Sequence, residues 1–373
     1  MDQLTKRTWA EVSLGAIEHN YRAMRAKLAP GTRYMGIVKA NAYGHGAVRV
    51  SRLLEDVGCD YLAVACLDEA LELRRAGIRL PILILGYTPP VYAPVLAENA
   101  VTQAVGSLDM ARALSDALAG TGLTLKVHFK LETGMGRTGF RAYGRDALAD
   151  AAKAARLPHL EPEGVFTHFC VSDGEPGERD FTWEQLKRFK AGFEAVEAQA
   201  GKRFLIHHCT NSGAMIAFPE TYMDMVRPGV ALYGMFPGPD KGDLDLIPAM
   251  TLKSRVACLE RHEPGDTISY GRTFTVERPS TVAVLPIGYA DGLHRTLSNK
   301  LTLDFDGRRA KQVGRICMDM CMADVTGLDV KPGDTAEIFG RHINCGDVAA
   351  LCGTIHYELL CAVSPRVPRV YAD

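Results

Sequence analysis

Between about residues 33 and 230 the chain repeats one alternation: an apolar or β-branched run of strand length, then a longer segment with apolar residues at helical spacing. The strand-like runs are RYMGIVKA from Arg33, YLAVAC from Tyr61, PILILG from Pro81, VTQAVG from Val101, LTLKVHFKLE from Leu123, EGVFTHF from Glu163, FLIHHCTN from Phe204 and MDMVRPG from Met223. Between them lie SRLLEDVG, DEALELRRAG, SLDMARALSDALAG, RDALADAAKAARL and WEQLKRFKAGFEAVEAQAG, several opening on a capping residue and closing on glycine. Such βα units imply a parallel sheet, and eight of them in roughly 250 residues is the dimension of a (β/α)8 barrel. A doubly wound open sheet is the structural competitor.

The texture changes after PGPDKGDLDLIP, which begins at Pro237. Helical periodicity largely disappears, and short strand-like runs (MTLKSRVACLE, TVAVLPIGYA, LTLDFDG, ICMDMCMADV, TAEIFG) are separated by turn signals such as EPGD and KPGD. This predicts a TIM-type barrel over residues 1–240 and a mostly-β domain over 241–373, with TWAEVSL before the first barrel strand a candidate to pair with the β domain.

Composition removes whole classes of function. Lysine plus arginine number 43 against 44 aspartate plus glutamate, so the overall field gives no reason to expect nucleic acid or an anionic membrane as partner. No apolar h-region follows the basic residues near the start, and no apolar run approaches a bilayer span, so a soluble cytoplasmic protein is expected. Ten cysteines are scattered without a Cys-x-x-Cys pair and read as reduced and mostly buried.

Barrels of this kind carry their chemistry at the C-terminal ends of the strands. Lys39 ends the first strand, Arg137 follows the fifth, His168 ends the sixth, Asn211 and Ser212 follow the seventh, and Arg227 and Gly229 close the eighth. Each alone has a bland reading: a lysine reaching into water, a hydrogen-bonded structural histidine, a surface ion pair. Their common rim favours a site. A lysine held at an apolar barrel mouth loses proton affinity by desolvation and can form a Schiff base, which is what pyridoxal phosphate requires, together with a phosphate cradle. The loops NSG and RPGV after the seventh and eighth strands have the small residues for one.

Two motifs are decoys. GMGRTGF from Gly134 matches a dinucleotide fingerprint, but it follows the fifth strand, and the segment from Arg141 to Ala155 reads as helix where a second strand is needed. His207, His208 and Cys209 are adjacent on a strand and point to alternate faces, so no metal site is expected there.

VKANAYGHG, ETGMGRTG, THF followed by Asp173, HHCTNSG, RPGVALYG, SYGRTF, PIGYADG, GRICMDM and TIHYELLCAVSPRVPRVY occur in order along nearly the whole chain, which closely resembles the bacterial alanine racemases. The resemblance implies that Lys39 carries pyridoxal 5'-phosphate as an internal aldimine and serves as one of two catalytic bases, with Tyr270 the other. Two bases flanking one plane suit a reaction that removes a proton from one face and returns it to the opposite face. Because Tyr270 lies in the β domain, the family supplies it from the other subunit, which makes a homodimer with shared active sites obligatory.

By the same resemblance Tyr43, Ser212, Tyr357 and the backbone at Gly229 and Val230 form the phosphate site, and Asn211 and His168 also belong to the cofactor-binding set. Arg227 faces the pyridine nitrogen, with His168 in a network to Tyr270. A guanidinium only donates, so that nitrogen stays an unprotonated acceptor and the cofactor becomes a weaker electron sink. Arg137 matches an arginine that meets the substrate carboxylate or the phenol oxygen of the cofactor, and Met318 and Asp319 match residues that touch the substrate, alanine. Tyr289 and Tyr357 match an inner gate, and Asp173, Arg295, Arg315 and Ile355 an outer entrance. Lys130 matches a lysine often carbamylated in the family; strand alternation puts it on one face with Lys126 and His128.

The chain departs from the family pattern at Thr210 and Gly213, where alanine is usual, and at Glu132 and His356. These departures bear on substrate preference rather than on the reaction. The rival functions are a decarboxylase of the same architecture, a racemase of broader specificity, and a non-catalytic cofactor-binding barrel. Tyr270 and Arg227 argue against the first, and the complete β domain against the last.

Overall fold

The computed structural model describes residues 7–143, 148–175 and 177–372. The chain divides into two compact units, one comprising Ile17–Ala42 and Ala47–Ile247, the other Met1–Ala16, Tyr43–Gly46 and Pro248–Asp373.

In the first unit eight strands run parallel: β1 (Arg33–Ile37), β2 (Tyr61–Val64), β3 (Ile82–Ile84), β4 (Val101–Val105), β5 (Leu125–Glu132), β6 (Leu160–Phe166), β7 (Ile206–His208) and β8 (Met225–Val226). The hydrogen-bonded order is β8-β1-β2-β3-β4-β5-β6-β7. The Asp224 N–H donates to the His207 carbonyl (3.1 Å) and the Arg227 N–H to that of Thr210 (2.9 Å), so β7 and β8 meet and the barrel is nearly closed. Every residue of β2, β3 and β4 is buried, as expected of parallel strands covered on both faces.

The connecting helices start and stop on local chemistry. Ser107 caps Leu108–Leu118 by accepting from the Met110 N–H at 3.2 Å. Asp180–Ala200, the helix after β6, ends on Gly201 at φ 65°, a left-handed conformation that glycine adopts without strain. The segment expected to be helical from Arg141 differs. Phe140–Arg141 is extended and pairs with the end of β5, residues 144–147 lie outside the described residues, and the helix spans only Ala149–Ala154. Gly139 permits this close approach, since a Cβ there would sit 2.9 Å from the Lys130 carbonyl oxygen and the Glu132 nitrogen.

The second unit is built on a nine-stranded sheet in the order Cys258–His262, Ser280–Leu285, Cys321–Asp324, Arg308–Val313, Thr302–Phe305, Thr335–Phe339, Met250–Arg255, Thr8–Ser13, Arg369–Ala372. Thr8–Ser13 pairs antiparallel with Met250–Arg255 and parallel with Arg369–Ala372, so the TWAEVS strand belongs to this sheet. Burial alternates along Met250–Arg255, the pattern of a strand with one face on a core. Two short helices, Cys345–Cys352 and His356–Ala362, interrupt the β texture. The first is signalled by Asn344, whose side chain accepts from the Gly346 and Asp347 N–H groups, and by Gly353 at its end. Among the described residues no helix is long and apolar enough to cross a membrane.

Candidate active site

The candidate residues begin where the barrel strands stop. The Val38 N–H still donates to Ala63 at 2.9 Å, and Lys39 is the next residue. Beyond it Ala40, Asn41, Ala42 and Tyr43 hold φ of 52°, 54°, 56° and 51°, a left-handed turn made of non-glycine residues. Each costs about 1 kcal/mol or more, and local bonds hold them there. The Ala42 N–H donates to Val38 O (2.8 Å), and Asn41 Oδ1 accepts from the Ala47 N–H (2.8 Å). Glu69 clamps the turn to the end of β2, accepting from the Ala40 N–H (2.6 Å) and the Ala65 N–H (2.7 Å). Nothing in the motif marked Glu69.

Lys130 lies at the end of β5, buried, with its ammonium donating to Thr138 Oγ1 at 2.9 Å. Burial, then Arg137, with further contributions from Arg227 and Lys39, pushes its amine down to about 8, although Glu132 pulls the other way. Glu132 organises the next loop. Its carboxylate accepts from the Gly134 N–H and, at 3.3 Å, from that of Arg137. Burial pushes that carboxyl up, but the loop amides outweigh it and hold it below the usual range. This loop therefore carries Arg137 on a carboxylate hub, not on a phosphate.

Arg227 is buried, and its hydrogen bonds all run to acceptors: Nη1 donates to His208 Nδ1 (2.9 Å) and the His208 carbonyl (3.1 Å), and Nη2 to Thr167 O (2.8 Å) and, weakly, to His168 Nδ1 (3.4 Å) and Cys209 O (3.5 Å). Desolvation lowers its guanidinium to about 10, which still leaves it charged at neutral pH. His168 is held well below the ordinary histidine range by burial and then by Arg227, Arg137, Lys130 and Lys39, so it is a neutral ring. Lys39, Lys130, Arg137 and Arg227 thus concentrate positive charge at one end of the barrel.

Ser212 starts the helix Ser212–Ala217, and its Oγ accepts from the Gly229 N–H (2.8 Å) and the Ala231 N–H (3.3 Å). Both lone pairs are thereby used, leaving the hydroxyl proton to donate. Asn211 caps this helix through the Ala214 N–H (3.0 Å) and accepts from Ser172 Oγ (2.7 Å). Two departures from the family pattern acquire physical reasons. Thr210 donates to Thr221 O at 2.6 Å, and a Cβ on Gly213 would lie 2.8–2.9 Å from the Ser172–Asp173 backbone. Asp173 therefore sits beside the Asn211–Gly213 turn.

The second unit gathers the other expected residues. Tyr43 and Tyr357 face each other with ring centroids 6.1 Å apart. Tyr270 stands on a turn between the strands Thr267–Ile268 and Phe274–Thr275, where Ser269, Gly271 and Arg272 have φ of 66°, 70° and 50°. Ser269 Oγ pins the turn to the Arg315 carbonyl at 2.6 Å. The tyrosine is nevertheless 71% exposed, and it lines an open cavity with Ile268, Met318, Asp319, Met320 and Met322.

Tyr289 is tied to the same loop, its N–H donating to Cys317 O at 3.0 Å and that of Ala290 to Met318 O at 3.0 Å. Gly288 allows this, since a Cβ there would meet both carbonyl oxygens at 2.3 Å. Asp319 is paired with Arg366 at 2.7 Å. Arg295 begins a short 3-10 turn, Arg295–Leu297, and Ile355, exposed, precedes the helix His356–Ala362.

Residues 12–237 match the family model described as alanine racemase, N-terminal domain, and residues 249–371 that of the C-terminal domain. The chain belongs to the alanine racemase family. An alanine racemase of Desulforamulus reducens is 45% identical over 367 residues, covering 97% of this chain and 98% of that one. The solved alanine racemase of Clostridium difficile 630 superposes with a TM-score of 0.94 at 38% identity, covering 99% of this chain and 97% of that chain. That of Bacillus anthracis, solved with bound L-Ala-P, gives 0.92 at 35% identity, covering 99% and 95%. Alanine racemase neighbours with this barrel and a mostly-β C-terminal unit agree with the (β/α)8 architecture over the doubly wound alternative. His207 and His208 do point apart: His207 bonds Glu197 and Asp224, while His208 bonds His128 and Arg227.

Proposed function

We propose that the chain interconverts L-alanine and D-alanine with pyridoxal 5'-phosphate bound at Lys39, as a homodimer in which the partner subunit's Tyr270 completes the site. The observation that carries this is the charge balance at the barrel rim: Lys39, Lys130, Arg137 and Arg227 all depress proton affinity around them. A phosphorylated cofactor and a substrate carboxylate are the anions such a cluster suits. The cofactor supplies the electron sink that makes the α-proton of alanine acidic.

The protein's own residues do the rest. The Lys39 amine serves as covalent anchor and as the base on one face, and the Tyr270 phenol holds or gives the proton on the other. Arg227 would face the ring nitrogen as a donor and, lacking any acceptor, would keep it unprotonated. The Ser212 hydroxyl, its lone pairs already occupied, donates to phosphate with help from Tyr43, Tyr357 and the backbone at Gly229 and Val230. Arg137 and Asp319, with Met318, meet the substrate, and Arg137 is steadied by Glu132.

Tyr289 and Tyr357, then Asp173, Arg295, Arg315 and Ile355, line the approach. Neutral His168, held by Arg227, orients Tyr270 without competing for its proton. An exposed phenol on a strained, pinned turn, set in an apolar hollow with Met318 and Met320, is what a subunit contact would cover. A cytoplasmic location fits the free cysteines.

Borohydride reduction of protein incubated with pyridoxal phosphate, followed by peptide mapping, is expected to label Lys39. Tyr270→Phe is expected to abolish interconversion in at least one direction. Unchanged enantiopure alanine in the presence of loaded wild-type protein ends the proposal, and carbon dioxide release from basic amino acids would favour the decarboxylase.

A further inference from the structure

A hydrogen-bonded chain crosses the barrel interior from the end that carries Arg227 to the opposite mouth. Arg227 Nη1 meets His208 Nδ1 at 2.9 Å, His208 Nε2 meets His128 Nδ1 at 2.9 Å, and His128 Nε2 meets Glu163 Oε2 at 3.1 Å. Glu163 also accepts from Lys126 Nζ through Oε1 at 2.7 Å and from the Tyr61 hydroxyl. Both histidines are completely buried.

Donor counting fixes where each proton sits. The guanidinium only donates, so His208 Nδ1 must accept; a neutral ring carries one N–H, so His208 Nε2 bears it and donates to His128 Nδ1. The proton of His128 is then on Nε2 and points at the carboxylate. The acceptor at the Glu163 end requires the same direction independently. Burial holds both rings below the ordinary histidine range, with Arg227 adding to the effect at His208, so neither becomes a double donor at neutral pH.

The backbone is shaped for this chain. Along β5 and β6 the pairs Leu125↔Leu160, Lys126↔Glu161 and Val127↔Pro162 are followed by His128↔Gly164. Glu163 is thus the extra residue of a β-bulge, which re-aims its side chain, and Pro162, lacking an N–H, is tolerated next to it. Gly164 makes room: a Cβ there would lie 2.6–2.8 Å from three ring atoms of His128. Phe166 stacks on His208 at 4.9 Å with the planes 15° apart, and Arg227 lies 5.3 Å over the same phenyl ring.

We propose that Glu163 is a positioning residue for Arg227, acting across the barrel by fixing the tautomers of His128 and His208. The proposal rests on the reading that Arg227 faces the cofactor ring. Without the carboxylate one of the two restraints on the tautomers is lost, so the reversed pair, in which His208 Nδ1–H confronts Nη1–H donor to donor, is less strongly excluded and competes by turning the guanidinium away from the His208 ring. Thr167 O and the His208 carbonyl would still hold the guanidinium, but its orientation would no longer be single.

The test uses the complete chain labelled with 15N at histidine, and long-range proton–nitrogen correlation spectra with and without pyridoxal phosphate. In wild type both rings should be neutral with the proton on Nε2. In Glu163→Gln, tautomer mixtures should appear at His128 and His208 together, with kcat falling about tenfold while KM stays within about twofold. Gly164→Ala, which pushes on the His128 ring, should show the same spectral change with the carboxylate intact.

Because the wild-type spectrum alone is diagnostic, a variant that fails to fold leaves the proposal exposed. A proton on Nδ1 of either ring overturns it. So does a Glu163→Gln protein whose melting temperature drops while its tautomers and kcat per folded site are unchanged, the mark of a purely structural role. Absence of pyridoxyl label on Lys39 would instead overturn the functional reading and leave the ring protons where they are.

Discussion

Asp291→Ala should unfold the β unit about 10 °C early. The carboxylate is fully buried, yet two arginines far apart in sequence converge on it: Arg7 Nη2 and Arg366 Nε reach Oδ1 at 2.7 and 2.9 Å. Oδ2 accepts from the Gly288 N–H at 3.0 Å, and the Asp291 carbonyl accepts from Ser364 at 3.1 Å. One side chain thereby ties the start of the Thr8–Ser13 strand and the segment near the C-terminus to the turn that carries Tyr289. Removing one partner of a buried pair costs about 3–5 kcal/mol when the other is left buried and unpaired.

Here the Arg7 and Arg366 side chains are 39% and 41% exposed and can rehydrate, which removes much of that penalty. The Gly288 N–H cannot rehydrate so easily, and an orphaned buried donor adds about 1–3 kcal/mol. The net is about 3 kcal/mol, which for a unit of this size corresponds to roughly 10 °C. Differential scanning calorimetry of the full chain reads it. Asp291→Asn should recover less than half, because one oxygen still faces the arginines while its NH2 confronts the Gly288 N–H. An Asp291→Ala midpoint within about 2 °C of wild type would refute the reasoning, since it would mean the arginines contribute nothing through this carboxylate.

Three other outcomes are expected. The Lys130 amine is pushed down to about 8 when folded, below its value in an unfolded chain, so between those two values the unfolded state binds more protons and this group's contribution to stability rises with pH; the difference in urea midpoint between wild type and Lys130→Met should climb across that window, whatever the buried thiols contribute to both. If the amine is instead a carbamate, 13C-bicarbonate should give a carbamate resonance that Lys130→Met lacks, and the difference should then show no such climb. Ser212→Ala should weaken pyridoxal phosphate binding roughly 10-fold or more, the value of one hydrogen bond to a charged group, as read by equilibrium dialysis. Gly213→Ala should cost about 1–3 kcal/mol, because its Cβ meets Ser172 backbone atoms rather than a flexible side chain; an unchanged unfolding midpoint would show that the Ser172–Asp173 backbone yields freely.

What could be read from sequence divides along a physical line. Periodicity reports burial, so all eight barrel strands were legible, and the strand-end rule marked Lys39, His168 and Arg227 as candidates without any motif. Alternation also separated His207 from His208 correctly. It fails wherever the repeat is broken by one residue. The bulge at Glu163 shifts β6 against β5, and a strict period of two gives no reason to aim that carboxylate at His128; the only local signal was Pro162, a residue that strands accept at bulges.

The left-handed turn at Ala40–Tyr43 was equally hidden, because alanine and tyrosine carry no preference for it and the restraint comes from Glu69, distant in sequence. Tyr270 is the limiting case: nothing in its burial, charge or spacing marks it as a candidate, and only the family pattern singles it out. A residue whose partner lies across a barrel leaves no periodic trace. That is why the donor-to-acceptor chain from Arg227 to Glu163 had to be read from distances, and why its direction, once Arg227 and a carboxylate are known to be the two ends, follows from chemistry alone.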